Sequence, residues 1–292
     1  MKRLWLLLLL AVTAATASAQ HPGSTKGTLF VVGGGPQPPE LVQAFVDLAG
    51  GKGKARIVVF AMASEDGLAG GEEKAQDLRA LGADARNVYV TRAEAMTDSV
   101  AALLDRATGV WFGGGDQARL MAVLVGTPTA AAIWRRYRAG AVIGGTSAGA
   151  AVMSTPMITG DERRRGGDRP PTDSSAVFMT IDRGNVITAE GFGFLTRAIV
   201  DQHFVRRRRH NRLLSLVLEG PVRLGAGIDE STALVIGPDG RWRVIGASVV
   251  VIYDARKARL ARSGPLGGSG IVTHILPAGS RFDPVTGLAT LP

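Results

Sequence analysis

Short apolar runs that end in glycine turns alternate with helical patterns through the first two thirds of the chain, and this alternation constrains the fold most. The β-branched run 28–32 ends in the glycine turn 33–35, and residues 40–49 follow with helical spacing. A repeated strand, glycine turn and helix form crossover units, whose strands lie parallel in a sheet that helices cover on both faces. The sequence therefore predicts an α/β fold with a mostly parallel sheet.

The later elements continue this pattern and then change character. The further strands of the first two thirds are predicted at 56–61, 88–91, 109–112 and 141–143. The further helices are predicted at 71–81, 99–107, 117–125 and 130–139. The strand-like runs of the last third lie at 234–236, 242–244, 248–253 and 271–276. Because Pro238-Asp239-Gly240 separates the first two of these runs, they predict a β-hairpin within a β-rich C-terminal part.

The two ends of the chain and its middle bear on domain organisation and location. Lys2 and Arg3, the apolar run 4–12 and Ala17-Ser18-Ala19 are typical of a secretory signal, with cleavage expected after Ala19. A membrane anchor is the alternative, but the run is shorter than the roughly twenty residues that span a bilayer. We therefore expect a secreted or periplasmic protein with one domain over residues 20–292. Residues 160–175, rich in Gly, Pro, Asp and Arg, predict a surface loop within it.

Composition excludes several classes of site. The chain has no cysteine, which excludes disulfides, thiolate metal sites and a cysteine nucleophile, and nothing resembles a metal-ligand or cofactor cluster. The formal net charge is +9, with arginines concentrated at 163–169 and 206–212. Such clusters indicate either an anionic partner or a solvated basic face. Nucleic acid is disfavoured, because aromatic residues are scarce and do not alternate with the arginines.

Residues 141–151 contain the pattern G-x-S-x-G at Gly145, Ser147 and Gly149, between a predicted strand and a helix-forming stretch. That context is the one that a nucleophile elbow requires, with the serine hydroxyl projecting above the sheet edge. The N–H group of Ala148 then points at the same space and can donate to an oxyanion. An incidental serine in a glycine-rich turn is the alternative interpretation.

A second glycine turn, 113–115, follows another strand of the same half. Turns at the carboxyl ends of parallel strands converge on one crevice, so its backbone amides, Gly114 among them, are candidate second donors to the oxyanion. A phosphate cradle is disfavoured, because neither glycine turn matches the P-loop or dinucleotide-binding patterns.

A serine nucleophile needs a base, and the candidates are few. His21 abuts the expected cleavage site, His210 lies within a run of arginines, and His274 lies in a late strand. His203 follows an apolar run that turns polar, as at a strand end beside a site, and is the favoured base. For the carboxylate that would orient it, Asp229 and Glu230 remain equal alternatives, since neighbouring side chains in extended backbone point opposite ways.

Four motifs in one order carry a family resemblance. They are FGGGDQ at 112–117, GGTSAGA at 144–150, DQHF at 201–204 and GIDE at 227–230. The chain resembles the cyanophycinase-like serine peptidases, relatives of peptidase E, from about residue 28 to 253. The resemblance implies a class I glutamine-amidotransferase-like fold and a triad of Ser147 as nucleophile, His203 as base and Glu230 as orienting carboxylate. No cofactor is expected, since nothing in the sequence resembles a ligand cluster. The resemblance also implies substrate-binding residues at Gln117, Asp201, Gln202, Arg207, Arg209 and Arg212.

The function that the resemblance implies is hydrolysis of cyanophycin, a poly-aspartate with arginine on each side-chain carboxyl. Arginine side chains would bind the substrate carboxylates in bidentate fashion, and Asp201 would pair with a substrate guanidinium. Ser147 would attack a backbone amide of aspartate and release β-Asp-Arg. The alternatives are a peptidase for other Asp-containing or isoaspartyl peptides and a non-catalytic polyanion-binding protein. The resemblance suggests a homodimer. No nucleic-acid partner is expected, and no membrane partner is expected after signal cleavage.

Overall fold

A computed structural model describes residues 25–163 and 180–292. The predicted signal peptide, His21 and most of the predicted loop at 160–175, with the arginines after Arg163, lie outside the described residues. Within the described ranges, no helix is both long and apolar enough to cross a bilayer.

Strands make up most of the regular structure. They are β1 (Thr28–Val32), β2 (Arg56–Phe60), β3 (Asp84–Asn87), β4 (Gly109–Phe112), β5 (Val142–Thr146), β6 (Met157–Glu162), β7 (Val186–Ala189), β8 (Ile199–Gln202), β9 (Leu224–Ile228), β10 (Thr232–Ile236), β11 (Trp242–Gly246), β12 (Val249–Asp254), β13 (Arg259–Leu260), β14 (Gly268–Ser269), β15 (Val272–Pro277), β16 (Arg281–Asp283) and β17 (Leu288–Thr290). The helices are α1 (Pro39–Leu48), α2 (Gly67–Ala80), α3 (Arg92–Ala95), α4 (Asp98–Ala102), α5 (Gln117–Leu124), α6 (Pro128–Ala139), α7 (Ala148–Ala151) and α8 (His210–Glu219).

In the described part of the chain, the central sheet has nine strands in the order β17-β16-β11-β10-β1-β5-β4-β2-β3. The strands β1, β5, β4, β2 and β3 pair in parallel, and β10 continues the sheet antiparallel to β1. This confirms the predicted α/β class and its parallel half. The predicted hairpin is confirmed as β10 and β11, which pair antiparallel.

Both faces of the parallel half are buried, as the alternation of side chains along a strand requires. On β1, Leu29 and Val31 belong to one hydrophobic cluster, and Phe30 and Val32 belong to the cluster on the opposite face. On the second face, the Phe30 ring meets the ring of Phe45 from α1 edge-on at 5.6 Å between centroids. Such burial of large aromatic rings fixes the helices against the sheet.

A second sheet, in the order β15-β12-β9-β8, lies beside the central one. Its strands β8 and β9 are parallel, so their carboxyl ends lie at one edge. The segments predicted at 248–253 and 271–276 are β12 and β15 of this sheet, paired antiparallel. A backbone hydrogen bond joins the sheets at that edge: the N–H of His203, directly after β8, donates to the carbonyl of Gly33, directly after β1, at 2.6 Å.

Two predicted elements differ from the structure because polar side chains cap helices there. The strand predicted at 88–91 lies earlier, at β3, and after Val88 donates to the Val59 carbonyl the chain leaves the sheet. Thr91 instead forms a capping box with Glu94 at the start of α3. The helix predicted at 99–107 begins one residue earlier, because Thr97 caps the start of α4, and it ends at Ala102.

Candidate active site

Ser147 occupies the sharp turn between β5 and α7. Its φ is +55° and its ψ is −113°, and a positive φ is uncommon for a residue with a side chain. Its N–H donates to the Val32 carbonyl at 3.1 Å, and its carbonyl accepts from Ala150 and Ala151. A Cβ on Gly145 would lie 2.6 Å from the Gly149 carbonyl carbon, so the strand and helix approach too closely for a side chain there. This is the strand–turn–helix geometry that the G-x-S-x-G pattern predicts.

Ser147, His203 and Glu230 form a continuous chain of hydrogen bonds. His203 Nε2 lies 2.8 Å from Ser147 Oγ, and His203 Nδ1 lies 2.7 Å from Glu230 Oε1. Because the ionised carboxylate only accepts, Nδ1 carries the proton and Nε2 is left to accept the serine proton. The His203 side chain is 7% exposed and that of Glu230 is 26% exposed, so the contact between them is largely shielded from water.

The surroundings keep His203 neutral. Burial lowers the pKa of His203 below its usual 6.5, and the positive charges of Arg207 and Arg209 lower it further, against the opposing effect of the Glu230 hydrogen bond. A histidine that is neutral near pH 7 is able to accept a proton from a nucleophile.

The first glycine turn, 33–35, packs directly on His203 and Glu230, a role that the sequence motifs do not indicate. A Cβ on Gly34 would overlap the His203 imidazole, and one on Gly35 would lie 2.7 Å from Glu230 Cβ. Both glycines have positive φ, +110° and +69°, which favours glycine on backbone grounds as well. The position of this turn in the sequence could have indicated its role, because it follows the parallel strand β1 and therefore lies at the same sheet edge as the other two glycine turns.

The residues predicted to form the oxyanion site border the serine. A Cβ built on Gly114 would lie 3.4 Å from Ser147 Cβ and 3.9 Å from Ser147 Oγ. Ala148 is buried and begins α7 directly after the serine. Their role as oxyanion donors stays a prediction.

The two neighbouring carboxylates of the GIDE motif take separate partners. Glu230 contacts His203, whereas Asp229 turns into the protein and accepts hydrogen bonds from the backbone N–H groups of Val205 and Arg206 and from the Ser248 hydroxyl. The alternative that the sequence left open is thus resolved in geometry by the opposite directions of adjacent side chains.

Three of the predicted substrate-binding residues are buried, and their side chains bind other groups of the protein. Asp201 and Arg212 form a bidentate ion pair, with Arg212 Nε 2.7 Å from Asp201 Oδ2 and the two side chains 0% and 2% exposed. Gln117 is buried and donates to the carbonyls of Ile158, at 2.8 Å, and Thr159. The expectation that Asp201 meets a substrate guanidinium therefore differs from the structure, in which Arg212 holds that carboxylate in the interior.

Gln202 is also buried, whereas Arg209 and Arg207 lie nearer the surface. Arg209 donates through Nη1 to the Gln202 carbonyl, at 2.8 Å, and to the Gln202 side-chain oxygen. Burial lowers the pKa of Arg209 to about 10, which still leaves it protonated at neutral pH. Arg207 is exposed. Its charge and that of Arg209 act on the pKa of His203, so both guanidinium groups lie within electrostatic reach of the base.

The remaining described histidines have other contacts. His210 Nδ1 lies 2.8 Å from the Tyr253 hydroxyl, and its ring meets Phe204 edge-on. His274 packs its ring at 5.3 Å from Phe282. Among the residues that the structure describes, no group of three or more His, Cys, Asp or Glu side chains is arranged to hold a metal ion.

Comparison with known proteins gives close sequence relatives. The model of Peptidase family S51 matches residues 29–242. A cyanophycinase from Trichormus variabilis is 34% identical over 281 residues, covering 92% of this chain and 89% of that protein. A cyanophycinase from Geminocystis herdmanii is 33% identical over 275 residues, covering 88% of this chain and 94% of that protein.

Solved structures share the fold at lower identity. A peptidase from an acI-B1 Actinobacterium has a TM-score of 0.63 and 23% identity, covering 89% of this chain and 98% of that one. A putative peptidase E protein from Listeria monocytogenes has a TM-score of 0.51 and 15% identity, covering 76% of this chain and 99% of that one. At these identities the two structures bear on the architecture alone.

Proposed function

The chain belongs to peptidase family S51 and is a serine-type peptidase. We propose that it is an exported enzyme that hydrolyses cyanophycin to β-Asp-Arg dipeptides. The observation that carries the proposal is the hydrogen-bonded chain from Ser147 through His203 to Glu230, in a sequence whose relatives are cyanophycinases. Export rests on the predicted signal peptide at residues 1–19.

In the acylation step, Ser147 Oγ attacks the carbonyl carbon of an aspartate backbone amide while His203 Nε2 takes the hydroxyl proton. Glu230 accepts from Nδ1 throughout and stabilises the imidazolium that forms. The carbon–nitrogen bond then breaks, and the imidazolium gives its proton to the leaving amine. The product of this half-reaction is an acyl-enzyme on Ser147 and a released amine.

In the deacylation step, His203 accepts a proton from water as the water oxygen attacks the acyl carbon. Ser147 leaves with the proton that the imidazolium returns, and the new carboxylate is released. The negative oxygen of both tetrahedral intermediates would accept from the N–H groups of Ala148 and Gly114. A donor of this type is worth about 10²–10³ in kcat.

The charges beside the triad suit a substrate that carries carboxylates. Asp201 is the buried carboxylate behind the site, and it lies within reach of two guanidinium groups, Arg212 and, at 4.0 Å, Arg209. The exposed Arg207 adds a further positive charge. Each repeat of cyanophycin presents the free carboxylate of its arginine, which a guanidinium fork binds well. We assign Arg207 and Arg209 to that carboxylate, and Asp201 and Arg212 to holding α8 against β8.

The test is incubation of the mature protein with cyanophycin, with the soluble products identified by mass. Release of β-Asp-Arg supports the proposal. Well-folded protein that releases nothing from the polymer, yet cleaves Asp-containing or isoaspartyl dipeptides, would replace cyanophycin by a short peptide as substrate. A protein that cleaves neither would contradict the proposed activity.

We expect hydrolysis to persist to lower pH than an ordinary histidine base allows. Only the neutral imidazole of His203 accepts the serine proton, so kcat/KM falls as the pH drops through its pKa. Because burial, with Arg207 and Arg209, lowers that pKa, the acid-side midpoint should lie below pH 6.5. The measurement is kcat/KM against pH at constant ionic strength, and a midpoint at or above 6.5 would contradict it.

A further inference from the structure

We propose that Asp229 is a positioning residue that holds the backbone turn carrying both His203 and Arg207. This inference rests on the proposed triad. It gives the two neighbouring carboxylates separate tasks, because Glu230 holds the side chain of the base and Asp229 holds the backbone that follows it.

The contacts of Asp229 are all made to neutral donors. Its Oδ1 accepts from Val205 N–H at 3.1 Å and from Arg206 N–H at 2.9 Å, and its Oδ2 accepts from the Ser248 hydroxyl at 2.7 Å. The residue is 8% exposed. Among the described residues, no lysine, arginine or histidine forms an ion pair with it. The Asp229 carboxylate is thus bound by two backbone amides and one hydroxyl, and not by a cation.

The turn after His203 needs such an acceptor. His203 has a φ of +48°, and the chain then enters a helical turn in which Arg207 N–H donates to the His203 carbonyl and Arg209 N–H to the Phe204 carbonyl, both at 2.9 Å. The first N–H groups of a helical turn have no acceptor within the turn itself. Asp229, from the connection between β9 and β10, supplies one carboxylate oxygen to two of them.

Loss of this acceptor would release the segment that fixes the base. The His203 N–H is tied to Gly33 on one side, and the turn beyond it is tied to Asp229 on the other. A misplacement of a reacting group by about 1 Å costs about 10²-fold in rate. Since Arg207 directly follows Arg206, the same shift would move the guanidinium assigned to the substrate carboxylate.

The test compares variants by the second-order rate at which a fluorophosphonate probe labels Ser147. The probe reports on the serine and its base without any peptide substrate, so the result does not depend on whether cyanophycin is hydrolysed. If the wild type is not labelled, the triad fails with the proposed function. If the wild type is labelled, the variants test Asp229 alone.

We expect Asp229→Ala to slow labelling about 10- to 100-fold, because the turn loses its acceptor. Asp229→Asn should recover to within several-fold of the wild-type rate, because its amide oxygen still accepts from both N–H groups. If only the negative charge or the general packing of Asp229 mattered, Asp229→Asn would not be closer to the wild type than Asp229→Ala. A wild-type rate for Asp229→Ala, or equal slowing in both variants, would overturn the inference.

Asp283→Ala is the matched control. Asp283 Oδ1 also accepts from two successive N–H groups, those of Val285 at 2.8 Å and Thr286 at 3.3 Å, but in the connection between β16 and β17. Its labelling should equal that of the wild type, and slowing comparable to Asp229→Ala would overturn the inference. If Asp229→Ala does not fold, Ser248→Ala tests the inference instead. This change removes the hydroxyl that donates to Asp229, and we expect the labelling rate to fall about 3- to 10-fold. A wild-type rate would overturn the inference.

Discussion

Replacement of Ser147 by alanine is expected to lower kcat by at least about 10⁴-fold, because the acyl-enzyme has no oxygen on which to form. The fold should be retained. Alanine differs from serine by one oxygen atom, so we expect residue 147 to keep its φ of +55° in the variant. The contact that disappears is the 2.8 Å hydrogen bond to His203 Nε2, whose other partner, Glu230, is unaffected.

The measurement is the turnover of cyanophycin by the purified variant, together with its melting temperature. Ser99→Ala serves as the serine control, since Ser99 is exposed and its hydroxyl contacts only Thr97 among the described side chains. We expect it to retain wild-type turnover. Near-wild-type hydrolysis by Ser147→Ala would exclude this serine as the nucleophile.

Glu230→Gln is expected to lower kcat by about 10³–10⁴-fold with little change in stability. Glutamine has the same length, so it still fits beside the glycine turn, where Gly35 leaves room for the Glu230 side chain. The neutral amide, however, no longer stabilises a positive imidazolium, and it can donate to Nδ1 and so favour the tautomer that cannot accept the serine proton.

The comparison with Asp229→Asn makes this prediction discriminating. Both changes replace a carboxylate by its amide at adjacent positions, yet only Glu230 contacts the base. We expect kcat to fall by orders of magnitude for Glu230→Gln and by several-fold for Asp229→Asn, measured at saturating substrate. Equal losses, or a larger loss for Asp229→Asn, would contradict the assignment of Glu230 as the orienting carboxylate.

Most of the parallel half could be predicted because its signals are local. Each strand there is a short apolar run that stops at a glycine turn, and the predicted bounds of β1 and β4 coincide with those in the structure. The strand predicted at 88–91 was wrong because a residue with strand propensity caps a helix there. Thr91 has a β-branched side chain, but its hydroxyl caps α3, which moved the predicted third strand away from β3.

In the candidate site, too, the local features could be predicted and the long-range contacts could not. The elbow around Ser147 could be predicted because the serine, its glycines and the flanking strand and helix are contiguous. The partners of Asp201 could not be predicted, because the ion pair with Arg212 depends on how α8 packs against β8. Nothing in the sequence separates a buried arginine from an exposed one within a run of arginines, and the resemblance alone treated Arg207 and Arg212 alike.

By itself, the sequence determined the α/β class, the elbow and the short list of candidate bases and acids, because strand periodicity, glycine turns and residue chemistry are properties of neighbouring residues. Local pattern left Asp229 and Glu230 equal and only the family resemblance preferred Glu230, whereas the tertiary structure shows that Glu230 meets His203 and that Gly34 and Gly35 make room for both members of that pair. These choices depend on two sheets that meet at one edge. The turn after β1 and the turn before β10 are far apart in sequence. The Ser231 hydroxyl donates to the Pro36 carbonyl across a separation of 195 residues and so joins the two turns. Contacts of that separation are set by packing, which local pattern does not specify.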